Sequence, residues 1–530
     1  VREIYTKADR AATTEPTEAD VMTTAVVAGT GTPKGSRLMP GIAAWLRSAL
    51  FRPTTARPLG WRQVLGAVVF LVVGAAVSLA RTEGPGSLNT TWIEDANNFL
   101  QDALHQGVMT TITTQMNGYY DVVPRAFTAI AVTFPLSWVP GIMSAFAALE
   151  YAMFGLIAYI ASGPHLHSRW LRLLVAAPTC VIPLAYTQVN NDLATVQFIA
   201  LYGTFWLVLW RPATLGGRIA APVIMLGVTL TSILPLLFAP LLAARLIADR
   251  SKQAIALAVC WAVGLAAQWS VQLRGMSNRI SAHTNPLWVL WNYVTRAVPR
   301  AIFGEKALGG PGTNGEGHPI PLIIPNMAVH NALIAGAWAV LVVVVVVALA
   351  RLTAPHWPLA VTALLFSVLL FLGEIVDNLP IVQPRYVIAP ALLLYLAIVA
   401  MLRPRQALAA AGTPAGAQPA GSSSDADRRE GSIAEDGPAD DDVPVPGAQR
   451  KAPIRRRALV AWIPVTVFAV LLAVTCGFNY RVHNNRSESP PWTSVVAAAS
   501  RLCMKPGVTY YSYAHAWYRL QIPCSRVSAP

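Results

Sequence analysis

The sequence predicts an all-α polytopic membrane protein with about eleven transmembrane helices, a large first external loop and a small external C-terminal tail. Three observations predict it. Of 530 residues, 54% are hydrophobic and only 12% charged, where a soluble domain carries about a quarter charged, and mean hydropathy is +0.47. Apolar runs near the roughly 20 residues that cross a bilayer recur along the chain, and they are too long and uniformly apolar for barrel strands. Arg and Lys gather in short loops beside the ends of these runs, the positive-inside pattern. That pattern accounts for the net charge of +14 without a nucleic-acid partner.

Residues 1–63 are polar and Ala/Thr-rich, with Arg37, Arg47, Arg52, Arg57 and Arg62. They read as a cytoplasmic, largely disordered leader with a short amphipathic piece at 42–51 on the inner membrane surface. The transmembrane core is expected over 64–402. Its first span, 64–80, leads outward from Arg62 to Arg81, which makes 81–141 the first external loop. Residues 126–140 are apolar but broken by Pro135 and Pro140, so an interfacial helix is expected there. Spans follow at 142–161, 173–186 (kinked by Pro178 and Pro183) and 193–210. The run 219–247 is long for one span and short for two. Two spans with an outer turn near Thr231 and Ser232 keep Arg245 and Arg250 inside.

Further spans are expected at 254–271, 325–350, 358–376 and 386–402, with a second external loop at 272–324. Residues 403–457 are Ala/Gly/Pro/Ser-rich, then acidic, then basic, and read as a disordered cytoplasmic linker. The last span is 458–476 and the external tail 477–530. Cys503 and Cys524 would lie in an oxidising compartment and are expected to pair. Cys180, Cys260 and Cys476 fall inside apolar runs and read as small core residues.

Chemistry has few places to sit. Two adjacent carboxylates, Glu94 and Asp95, follow the first span among aromatic and amide side chains, with Asp102 and Asp121 further on. A carboxylate at an outer membrane face can deprotonate a hydroxyl, and a cation there can hold a phosphate leaving group. Arg125 and Arg385 are the cations expected at outer span ends. Structural roles compete: an acidic pair also suits a solvated surface or a helix N-terminus, and Arg125 a snorkelling anchor. Glu150 and Glu374 fall inside spans, where burial against a polar partner is expected. His330, near a span start, reads as interfacial. The sequence holds no GxxxxGK[ST] loop, no HExxH helix and no CxxC pair, so neither ATP-driven transport nor a zinc site is indicated.

The stretch Trp92-Ile93-Glu94-Asp95-Ala96-Asn97-Asn98-Phe99-Leu100-Gln101-Asp102-Ala103 resembles the first-loop motif W-[AI]-E-D-G-x-x-F-L-x-D-A of actinobacterial GT-C type glycosyltransferases. Gly118-Tyr119-Tyr120 through Pro124-Arg125 is similar to the G-Y-[LY]-x-x-x-P-R that follows it, and Gln383-Pro384-Arg385-Tyr386-Val387 to a late R-Y motif. The tail cysteines with Trp517 between them also fit. The chain departs from the pattern at Ala96, where Gly is usual, and at Asn190-Asn191-Asp192, where an Asn/His/Trp turn is common. The resemblance implies a GT-C-like core and a polyprenyl-phosphate sugar as donor. It implies an envelope glycan, glycolipid or protein as acceptor, and inversion at the anomeric carbon. It makes Asp95, then Glu94, the general base, and gives the donor phosphate to Arg385 and Arg125. Asp102, Asn98, Tyr119 and Tyr120 would contact substrate. No cofactor is required, and a divalent metal is left open. Two other readings stand beside it: a transporter or flippase of lipid-linked sugars that uses Glu150 and Glu374, and a non-catalytic envelope scaffold.

Overall fold

The computed structural model describes residues 38–54, 60–116, 118–184, 191–274, 285–308, 327–376, 382–405, 452–515 and 518–527. The chain divides into a unit of residues 1–42, described only from 38, and a unit of residues 43–530. The described residues are mostly helical, with two small antiparallel hairpins.

In order, the helices used below are α1 (Leu38–Ala49), α2 (Trp61–Leu79), α3 (Val122–Ala131), α4 (Val139–Ala161), α5 (Arg169–Ala176), α6 (Val196–Leu209), α7 (Leu215–Thr231) and α8 (Ala239–Ala248). They continue as α9 (Lys252–Leu273), α10 (Pro286–Asn292), α11 (Val298–Phe303), α12 (Met327–Leu349), α13 (Trp357–Val376), α14 (Ile388–Met401), α15 (Ala452–Phe478) and α16 (Trp492–Cys503). Among the described residues, seven helices are long and apolar enough to cross a membrane: α2, α4, α9, α12, α13, α14 and α15, some with a flanking turn. Helix α12 shows why. Its Val342–Val347 stretch is all β-branched, a poor helix former in water. In lipid, backbone N–H and C=O groups have no other partner than the helix itself.

Seven is fewer than the expected eleven: the segments expected at 173–186, 193–210 and 219–247 form shorter helices, the first and last of them interrupted near proline. The segment expected at 173–186 is α5 followed by the short turn Pro178–Val181, since Pro178 ends the first helix at Ala176. The run 219–247 is broken at Ser232, whose extended backbone separates α7 from a turn Leu234–Phe238 and α8. The linker assigned to 403–457 falls mostly outside the described residues, but α15 already begins at Ala452. The leader assigned to 1–63 contains α1 and the first turn of α2.

Helices α6 and α14 are buried along their whole length and form the centre. A helix that is apolar all round has no face to offer water, so it belongs in the interior. Around them, α2, α9, α12 and α15 turn apolar side chains outward, such as Val72, Val263, Val343 and Val467. Such continuous exposed apolar faces suit a lipid solvent. Small residues let helices close up: a Cβ on Gly264 of α9 would collide with Thr229 of α7.

Basic side chains cap one end of the bundle. Buried Arg245 donates to the carbonyls of Val208 (2.6 Å) and Trp210 (2.9 Å), the last turn of α6. Arg211 pairs with Asp249 (3.0 Å) and donates to Phe51 O. Arg403 donates to His165 O (2.9 Å). These cations satisfy carbonyls that helix ends leave open. At the other end α2 and α15 are stitched together by Arg81, which donates to Tyr480 O and Ile182 O. The first-loop motif lies at this second end.

Candidate functional site

Glu94 and Asp95 are adjacent in sequence but face different partners. Asp95 opens a π-helical turn, Asp95–Leu100, a local distortion that often accompanies function. Its carboxylate is buried and both oxygens accept backbone N–H groups, from Leu193 (3.1 Å) and Ala194 (3.0 Å). Asp192 caps the same turn by accepting from the backbone N–H of Thr195 (2.9 Å). Two carboxylates thus sit on one helix start, which leads into α6 and offers free N–H groups and a positive dipole end. Burial pushes the Asp95 carboxyl well above its usual range and Asp192 pushes it further; the two N–H donors and Arg486 oppose this.

Arg486 is the organising side chain the sequence did not single out. It is fully buried and donates to Asn191 O (2.9 Å), Ser87 O (2.8 Å), Thr90 O (2.9 Å) and Ser144 Oγ (2.7 Å). Asn191 takes a left-handed backbone (φ 54°) and donates to Ser78 O (2.8 Å). The only sequence signal for this clamp was the polar turn itself, because Arg486 lies in the tail and no local pattern marks its target.

Glu94 faces a more open place. Its Oε1 accepts from Arg385 (3.2 Å), and the two side chains keep 28% and 22% of their surface exposed. The partners are 291 positions apart. Glu94 Oε2, Arg385 Nε and Gln383 Oε1 are each buried without a hydrogen-bond partner. Tyr386 and Tyr119 lie beside the guanidinium, Glu374 is within electrostatic reach, and the Tyr119 hydroxyl is 3.5 Å from Gln197 Nε2. Orphaned polar atoms at a partly open spot are what a polar ligand would satisfy.

Asp102 and Arg125 are not at that spot. They pair with each other at 2.7 Å, with Arg125 buried over the Phe99 ring and donating to Thr111 O. The π turn separates Asp102 from Asp95, and the two take different partners. Tyr120 is held by its backbone, which exchanges hydrogen bonds with buried Gln268. Asp121 is buried with neither oxygen bonded; burial pushes its carboxyl well above its usual range, with Arg125 opposing. Asn98 is half-buried on the π turn.

The tail leans on the motif. A hairpin of β1 (Tyr510–Ala514) and β2 (Arg519–Pro523) is joined to α16 by the Cys503–Cys524 disulfide, Cα–Cα 5.4 Å. The backbone N–H groups of Arg519 and Gln521 donate to Asn97 Oδ1 (3.2 Å) and Gln101 Oε1 (2.8 Å). The Tyr518 and Thr91 hydroxyls are bonded to each other. Trp517 and Asn190 lie outside the described residues. No group of His, Cys, Asp and Glu able to hold a metal occurs among the described residues.

Compared with protein-family models, curated proteins and solved structures, the chain matches none.

Proposed function

We propose that this chain is a polytopic membrane glycosyltransferase of the GT-C type. It would move a sugar from a polyprenyl-phosphate-linked donor to an envelope glycan, glycolipid or protein. One observation carries the reading. Two of the motifs behind the resemblance, distant in sequence, meet in the Glu94–Arg385 contact, which is partly open and has unsatisfied polar atoms beside it.

The chemistry assigns the two parts of that contact. Arg385 would take the donor phosphate by bidentate, charge-assisted hydrogen bonds. That transfer of partner frees Glu94 to accept the proton of an acceptor hydroxyl. The acceptor oxygen then bonds the anomeric carbon from the opposite face, and the carbon–oxygen bond to phosphate breaks. Polyprenyl phosphate leaves with the bonding electrons. The hydrogen bonding favours Glu94 over Asp95 as the base: Asp95 has both oxygens bonded to backbone N–H groups, while Glu94 keeps one unbonded oxygen. Asp95 would then position the π turn that presents Glu94. Arg125, buried against Asp102, would serve the loop's shape rather than the phosphate.

The same proposal places the N-terminus in the cytoplasm and the tail outside. The shorter helices α5–α8 then supply the crossings beyond the seven long ones. A second reading, a flippase of lipid-linked sugars, draws on Glu150 of α4, which is buried with Oε2 unbonded.

Purified protein in lipid, supplied with a panel of polyprenyl-phosphate monosaccharides and an envelope extract, tests this. Loss of sugar transfer in Glu94→Gln, with donor binding kept, is the expected result. Transfer unchanged in both Glu94→Gln and Asp95→Asn would overturn the reading. Lipid-linked sugar that crosses the bilayer intact, and stops doing so in Glu150→Gln, would establish the flippase instead.

A further inference from the structure

A recess of about 320 Å³ lies between α10 with its following π turn, Tyr293–Ala297, and the first two turns of α12. The size is at the lower end for small-molecule sites. Its walls are joined by the Trp338 indole N–H, which donates to Val294 O at 2.9 Å and pins α12 to the π turn.

Its lining has two halves. Trp288, Trp291, Met327 and Ile334 are apolar or aromatic; Arg296, His330, Asn331, Asn292 and Thr295 are polar. Among the described residues of the wall, Arg296 is the only permanently charged side chain. It is half-buried, forms no ion pair among the described residues, and burial alone pulls its guanidinium below its usual range. Another cation, buried Arg300, lies within electrostatic reach of it, and Arg300 also feels the carboxylate of Glu305. A cation half out of water with no counter-ion among the described residues favours an anionic ligand.

The rim tells what else that ligand carries. Trp291 and Met327 are strongly exposed, as are Leu287 and Leu290 on α10. From the recess the outward face of α12 continues as exposed Val342, Val343 and Val346. A free polar anion has no use for that surface, whereas an acyl or prenyl chain does. Trp and Arg at the start of a lipid-facing helix also sit at headgroup level.

We propose that this recess binds an anionic lipid with a terminal phosphate. Arg296 takes the phosphate, with the side-chain amides of Asn292 and Asn331 and the imidazole of His330 around it. The hydrocarbon chain runs between Trp291 and the flank of α12. The proposal needs the membrane setting but not the transferase reading, and its readout is binding rather than turnover.

Delipidated protein in detergent is titrated by native mass spectrometry with a short-chain phosphatidic acid, a polyprenyl phosphate and phosphatidylcholine of matched chain length. Lipid phosphates are expected to bind at least about tenfold more tightly than phosphatidylcholine. Arg296→Gln should remove most of that preference and Arg296→Lys restore part of it. Preference for phosphatidic acid would name a bilayer phospholipid; preference for polyprenyl phosphate would name a lipid carrier. Asn331→Glu changes an exposed rim position and sets a carboxylate at the mouth, so it should weaken both. Wild-type affinity in a folded Arg296→Gln or Asn331→Glu variant, or no preference over phosphatidylcholine, would overturn the proposal.

Discussion

Replacing Arg486 should cost more than any single change at the Glu94–Arg385 contact. Arg486→Met keeps the length and the apolar stem and removes every donor. The carbonyls of Asn191 and Thr90 and the Ser144 hydroxyl lose this partner, while Ser87 O keeps the Ser144 hydroxyl. A buried acceptor left unsatisfied costs about 1–3 kcal/mol. Two such acceptors, plus the cation removed from beside Asp95 and Asp192, give a loss of roughly 3–5 kcal/mol. Arg486→Lys should recover less than half, because one ammonium cannot span Asn191, Ser87 and Thr90 together. Thermal unfolding followed by tryptophan fluorescence in detergent measures the loss. Limited proteolysis of the tail should show early release in the Met variant. A Met variant that melts with the wild type and keeps its tail protected would refute the clamp.

Asp95→Asn should destabilise by about 1–3 kcal/mol, since an amide N–H2 would face the N–H of Leu193 or Ala194; Glu94→Gln should leave melting within about 0.5 kcal/mol. Comparing the two melting curves separates the structural carboxylate from the exposed one. At the basic end, His356 is held down to about 4 and His165 well below its usual value, chiefly by burial, with Arg52, Arg403 and His167 adding to it. Both are neutral when folded, so the unfolded chain binds more protons below pH ~6.5. Stability present above that pH is lost as pH falls towards 4, by up to about 1.4 kcal/mol per unit for each residue. A wild type that melts no lower at pH 5 than at pH 7, relative to His356→Gln, would contradict this. Gly264→Val should drive a side chain into Thr229 and splay α7 from α9, lowering both yield and melting temperature; normal melting would show that the helices can part freely.

The helices were legible because lipid solvation writes a simple code: apolar length for a segment and Arg at its end. A break near Ser232 was expected for the same reason, since two crossings would keep the later basic loops on one side, and the helix does end there. The shortening at Pro178 was visible as a kink but not as a lost length. The site was legible only as separate pieces. Glu94 and Arg385 each stood out locally, yet nothing in either stretch says that they touch. Asp95 illustrates a sharper limit. Its competing role as a helix N-terminal charge was sound physics, but the helix it serves starts almost a hundred positions away. Arg486 left no local trace, because its targets are backbone carbonyls and any residue supplies those.

The clamp has a consequence for how the molecule is made. A chain grows from its N-terminus, and early segments fold while later ones are still on the ribosome. The first-loop motif and its seat at Leu193 and Ala194 are synthesised early, but the side chain that locks them arrives only after α15 has been laid down. Until then the carbonyls of Ser87, Thr90 and Asn191 lack this donor at the end of the bundle. A nascent protein halted before residue 486 would hold most of its helices and none of the closure. Closure of the site therefore waits for α15 and the segment that follows it.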